Sequence, residues 1–157
     1  MTTADEFQAP ISAAATVRGH GLSAYCPWRH LGELDGIELL YHTGGPLGIT
    51  RFADNAISLR VGMTTNQRRS TLAHELVHIE RGPGRGQRDS SGTAQSVTAR
   101  ADELIVEMTA AIRLVPAAVL EHLPTLVTKH GRRAAIDFLG IDGAALDDAL
   151  ALCAALA

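Results

Sequence analysis

Two histidines, His74 and His78, stand four residues apart, with Glu75 directly after the first. On a helix that spacing puts both imidazoles on one face, one turn apart, where they can reach a single metal ion. The glutamate between them can reach a water on that ion. His74-Glu75-Leu76-Val77-His78 is therefore an HExxH arrangement, suited to metal-assisted hydrolysis. A hydrolytic zinc site takes three protein ligands and keeps a fourth position open for water. The third ligand has to come from elsewhere in the chain, and Glu103, Glu107, Asp89, Asp102, His20, His30 and His42 are the candidates. Glu103 is favoured, because a second helix joined by a long loop can cross the first and present a carboxylate. Glu107, one turn further on, would then lie near His74 and could accept its second ring N–H, orienting the ring.

Zinc in such a site lowers the pKa of its water to about 7. Glu75 is the expected general base: it takes the proton as water attacks a peptide carbonyl and delivers it to the leaving amine. A further donor usually steadies the oxyanion, and Tyr41, His42 and Arg100 are the candidates. An extended substrate is expected to add by backbone pairing to the strand of Ile57, Leu59 and Val61, taken as an edge.

The surrounding elements are legible from their punctuation. Thr64 and Gln67 match a capping box, which opens the histidine helix. Leu72, Leu76 and Ile79 form its apolar stripe, on a different face from the histidines. Gly82-Pro83 closes it. Upstream, Pro27 suits the first turn of a helix to about Leu34. Three strand-like runs follow, Ile37 to Tyr41, Leu47 to Phe52 and Ile57 to Val61, separated by turn signals at 43–46 and 53–55. They read as a three-stranded antiparallel meander. Residues 82–96 form a Gly-, Ser- and Arg-rich loop, either a solvated connection or a flap over a groove. Ser96 can cap a second long helix, Val97 to Val115, stopped by Pro116. Glu103 and Glu107 share a face of it with Val106, Ala110 and Leu114. Beyond it, one helix is expected over Leu126 to Leu139, then a turn with Asp142 as N-cap and a last helix to about Leu156.

The fold class is thus α+β: a small three-stranded antiparallel sheet packed on the HExxH helix and the glutamate-bearing helix, with a C-terminal helical cap. We divide the chain into a tail (1–20), a metallopeptidase core (21–116) and a helical extension of the same domain (117–157). At 157 residues, 46% hydrophobic and 20% charged, its composition is ordinary for a soluble globular domain. A net charge of −3 gives no basic field for nucleic acid. The C-terminal pair of helices resembles a helix-turn-helix, but Asp147 and Asp148 on its second helix argue against DNA contact. Cys26 and Cys153, far apart, are expected as thiols of a reducing compartment. Met1 to Gln8 lacks the basic cluster of a secretory signal, and no apolar run reaches the roughly 18–20 residues of a membrane span. The expected location is cytoplasmic.

The stretch Arg69-Ser70-Thr71-Leu72-Ala73-His74-Glu75-Leu76-Val77-His78, with Glu103 ahead of Ala110-Ala111 and Leu114-Val115-Pro116, resembles the ImmA/IrrE family of metallo-endopeptidases. The resemblance covers roughly Ile37 to Pro116. It implies a gluzincin-like site in which His74, His78 and Glu103 bind zinc and Glu75 is the base; manganese is the alternative metal. It also implies a protein substrate of the helix-turn-helix repressor class. Val106-Glu107 departs from the small residue and Asp or Asn that the family often has after the glutamate. The reading from another class is a metal-bearing module that binds a regulator without cutting it.

Overall fold

The computed structural model describes residues 25–83 and 97–157. Along them run α1 (Pro27–Glu33), β1 (Glu38–His42), β2 (Gly48–Arg51), β3 (Ala56–Arg60), α2 (Thr65–Arg81), α3 (Val97–Leu114), α4 (Ala117–Leu120), α5 (Leu123–His130), α6 (Arg132–Leu139) and α7 (Gly143–Leu156). The architecture is α+β, as the sequence indicates. The tail at 1–20, the loop at 84–96 and the Ser96 cap lie outside the described residues.

Helix α2 starts on the predicted capping box. The Thr64 hydroxyl accepts the Gln67 N–H at 3.2 Å, and the Gln67 side chain accepts the Thr64 N–H at 3.0 Å. At Gly82, with φ of 74°, the chain turns away from the helix in a conformation that suits glycine. Between these ends α2 is gripped from two sides. Leu72 and Leu76 pack with Ile57, Leu59 and Met63 of the sheet side, with Ile79 and Leu31 at the margin. Ala73 and Val77 join a second apolar cluster with Val106, Ala110, Ala111 and Leu114 of α3 and with Leu123, Ala135, Leu146 and Ala149 of α5, α6 and α7. Each fully buried leucine here contributes about 1.5–3 kcal/mol. The C-terminal helices therefore share their core with α2 and α3.

The sheet differs from the expected meander. Its order is β1-β3-β2, with β2 antiparallel and β1 parallel to β3. β2 and β3 form the predicted hairpin through a 3₁₀ turn, Phe52–Asp54, and Asn55 in the left-handed region. The link from β1 to β2 is not a hairpin. Gly44 and Gly45, both at positive φ, carry the chain past one strand position, so β2 enters one place over and β3 returns between them. The reason is burial: Ala56, Ile57, Ser58 and Leu59 are all buried, which suits the middle of the sheet. β1 and β2 keep partly exposed residues and take the edges.

Two helical expectations also change. The single helix predicted over Leu126 to Leu139 is two, α5 and α6, because Gly131 sits between them at φ 85° and ψ 158°, which is not helical. The last helix does begin at its predicted cap, the Asp142 carboxylate accepting the Ala145 N–H at 3.0 Å. The α6–α7 turn is then pinned to the start of α2. Arg69 donates to the carbonyls of Leu139 and Gly140 at 3.0 and 3.1 Å and to that of Tyr25 at 3.1 Å. Ser70 Oγ accepts the Asp142 N–H at 3.0 Å. Among the described residues no helix is long and apolar enough to cross a membrane. Both cysteines are free.

Candidate metal centre

Because α2 is buried on two sides, only a narrow face remains for its polar groups. His74 and His78 occupy that face, with Nε2 atoms 3.1 Å apart and rings edge to face. Helix α3 crosses α2 and brings Glu103 over them. Its Oε1 lies 2.9 Å from His74 Nε2 and its Oε2 3.3 Å from His78 Nε2. Three ligand atoms of a tetrahedral zinc site stand about 3.4 Å apart, given bonds of about 2.0–2.2 Å. The three groups, with donor atoms within 4.8 Å of one another, therefore need to open only slightly to admit an ion. They are the only such group among the described residues. The histidine side chains are about a quarter exposed and Glu103 less enclosed, so an ion can reach them. Burial holds the His78 imidazole below the usual histidine range, and the neighbouring His74 adds to this against the pull of Glu103. A histidine kept neutral is ready to ligate.

Glu75 lies beside this face, only 7% exposed. The Thr50 hydroxyl, from β2, donates to its Oε2 at 2.7 Å. Gly48, two residues earlier on the same strand, lies so close that a Cβ there would stand 2.5 Å from Glu75 Oε1 and 2.6 Å from Thr71 Cγ2. Neither Thr50 nor Gly48 was picked out from the sequence. A Gly-x-Thr spacing in a strand signals only that two positions share a face.

His74, His78, Glu103 and Glu75 open onto one cavity of about 510 Å³. β2 and the link before it form one wall through Pro46 to Thr50. α3 forms another through Glu103, Glu107, Ala110, Ala111 and Leu114. The third comes from α7 and its cap, through Asp142, Ala144, Ala145 and Asp148. The C-terminal cap thus contributes to the cavity wall. Burial, joined by the charge of Glu107 and opposed by His74, lifts the Asp148 carboxyl to about 6. Glu107 faces this cavity as its neighbour. Its carboxylate is not among the three grouped donors.

The other candidates fall elsewhere. Tyr41 and His42 are on β1, the far edge strand, separated from the cavity by β3 and β2. Tyr41 is exposed, and His42 is held by Ser58 at 2.8 Å and the Pro46 carbonyl at 3.0 Å. Arg100 is exposed on the first turn of α3 and does not line the cavity. None of the three oxyanion candidates lines the cavity. The strand of Ile57 and Leu59 is likewise no edge: both are fully buried, and β3 is paired on either side. Val61, just beyond it, donates its N–H to His42. The edge beside the cavity belongs to β2. Of the alternative ligands, His30 pairs with Tyr25 and Glu80, and Asp102 with Arg81. His20 and Asp89 lie outside the described residues.

The chain matches no family model and no curated protein.

Proposed function

We propose that this chain is a zinc-dependent endopeptidase that hydrolyses a peptide bond in a specific cytosolic protein. One observation carries the reading: the Glu103 carboxylate spans the two α2 histidines while Glu75 opens onto the same cavity. A metal-binding module needs the first feature and has no use for the second. Zinc, the metal that two imidazoles and one carboxylate suit best, would supply Lewis-acid polarisation of the carbonyl and a more acidic water; manganese is a possible substitute.

The chain's own groups do the rest. Glu75 takes the proton of the attacking water and passes it to the amide nitrogen as the C–N bond breaks, leaving one free carboxylate and one free amine. The backbone of β2 offers a pairing edge along the cavity wall for an extended peptide. The apolar surface of Ala110, Ala111, Leu114 and Ala145 removes water from the bound segment. The resemblance of Arg69 to His78 to the ImmA/IrrE family makes a helix-turn-helix repressor the proposed substrate.

The test is zinc-loaded protein mixed with candidate repressors, with fragments read by mass spectrometry. Wild type should produce discrete fragments, and Glu75→Gln should slow their appearance at least about 100-fold. Release of a repressor from its operator without fragments, equal in Glu75→Gln, would replace the peptidase by a binding module.

A further inference from the structure

The contact between β2 and α2 has a feature the hydrolytic motif does not require. In the β2–β3 ladder Arg60 donates its N–H to the Leu47 carbonyl at 2.8 Å, so residues 47, 49 and 51 face β3 with their backbone groups. The backbone groups of Gly48 and Thr50 point the other way, to the free edge. Their side-chain positions face α2. Thr50 fills its position with a hydroxyl on Glu75 Oε2, and Gly48 leaves its position empty under Glu75 Oε1.

We propose that Thr50 positions Glu75 for proton transfer, and that Gly48 is the gap into which the carboxylate fits. This rests on the reading of the site as a hydrolytic metal centre. A glutamate has three rotatable bonds, and a catalytic group has to be held to within about 0.5 Å. Thr50 is β-branched, which stiffens χ1 on a strand, and its backbone is fixed by the ladder opposite Ile57. Its hydroxyl is therefore a fixed point. With Oε2 bonded there and Oε1 over Gly48, Glu75 has one arrangement. The same residue that presents an N–H and a carbonyl at the pairing edge also holds the base, which sets the distance between a peptide on that edge and the group that moves its proton.

Thr50→Val removes the hydroxyl and keeps the shape; Thr50→Ser keeps the hydroxyl. Protein loaded with one equivalent of cobalt(II) provides the first readout, the pH titration of its visible spectrum. Thr50→Val should shift that titration in the direction Glu75→Gln does, Thr50→Ser should return it most of the way, and Thr50→Val should add nothing in a Glu75→Gln background. The second readout is turnover of unstructured peptides: Thr50→Val should lower kcat about 100-fold with KM changed less than about threefold. Gly48→Ala, which pushes on the same carboxylate, should act alike. A Thr50→Val titration identical to wild type, or one that shifts equally without Glu75, would overturn the proposal, reducing Thr50 to a packing residue. Cobalt bound with the expected shifts but no peptide cut would sink the peptidase reading and leave the Thr50 assignment standing. Failure to bind cobalt would remove both.

Discussion

The hydroxyl of Ser70 on α2 accepts the backbone N–H of Asp142 at the cap of α7, 3.0 Å away. Ser70 is one turn before His74, so the helix that carries the histidines also seats the helix that walls their cavity. Arg69 beside it does the same with two carbonyls of the α6–α7 turn. The geometry of this corner, more than any property of α7 itself, puts Asp142 and Asp148 within the site.

Removing the Arg69 guanidinium should therefore loosen two elements at once. Arg69→Ala leaves three carbonyls, of Tyr25, Leu139 and Gly140, without their donor and should cost about 2–4 kcal/mol in urea denaturation. Arg69→Lys should recover only part, since a compact ammonium lacks the two spread nitrogens with which Arg69 reaches Tyr25 on one side and Leu139 and Gly140 on the other.

Metal content separates the two glutamates of α3. Wild type should carry about one equivalent of zinc by mass spectrometry of the metal. His74→Ala and Glu103→Ala should retain less than about a tenth of it, because each removes one of three ligands. Glu107→Ala should keep it, as its carboxylate is not one of the three grouped donors. Metal loss in Glu107→Ala alone would reassign the third ligand.

The raised Asp148 carboxyl makes stability depend on pH in a defined window. Its ordinary value is 3.8 and its folded value about 6, so between these the folded state holds a proton that the unfolded state has released. The associated stability is fully present below about pH 4 and lost as pH rises through about 6. Asp148→Asn cannot ionise and should flatten that decline, with a Tm above wild type by about 2–4 °C at pH 7. The scan is run with chelator present, so that metal release does not overlap it. A wild-type Tm that does not fall across this window relative to the variant would refute the assignment.

Gly131 provides a test of the break between α5 and α6. At φ 85° and ψ 158° no side chain is well tolerated, although nothing stands within 4 Å of its missing Cβ. Gly131→Ala should cost about 1–3 kcal/mol from backbone conformation alone. Higher helicity by circular dichroism with undiminished stability would mean that the two helices fuse at no cost.

What the sequence makes legible here is what is local. The Thr64–Gln67 box, the histidine spacing, the Asp142 cap and the Pro116 stop are each set within a few residues, and each stands where its residues put it. Glu103 was reachable because one long helix leaves few faces for a carboxylate. Strand order was not legible: a period of two tells which face a residue takes and nothing about its neighbour, so β1 was paired with the wrong strand. The Thr50–Glu75 and Ser70–Asp142 contacts join residues 25 and 72 positions apart. Hydroxyls of that kind look like any surface serine or threonine until the fold brings their partners up.

Helix α2 contributes to both apolar clusters, Leu72 and Leu76 to one and Ala73 and Val77 to the other. Opening the sheet side leaves the helix held by α3 and the C-terminal helices; opening those leaves it held by β3. Its amides from Ser70 to Val77 should then be the last in the chain to exchange with solvent. His74 lies within that segment and His78 directly after it, so the part of the fold expected to open last carries the candidate ligands, and the cavity walls on β2 and α7 are expected to open before it.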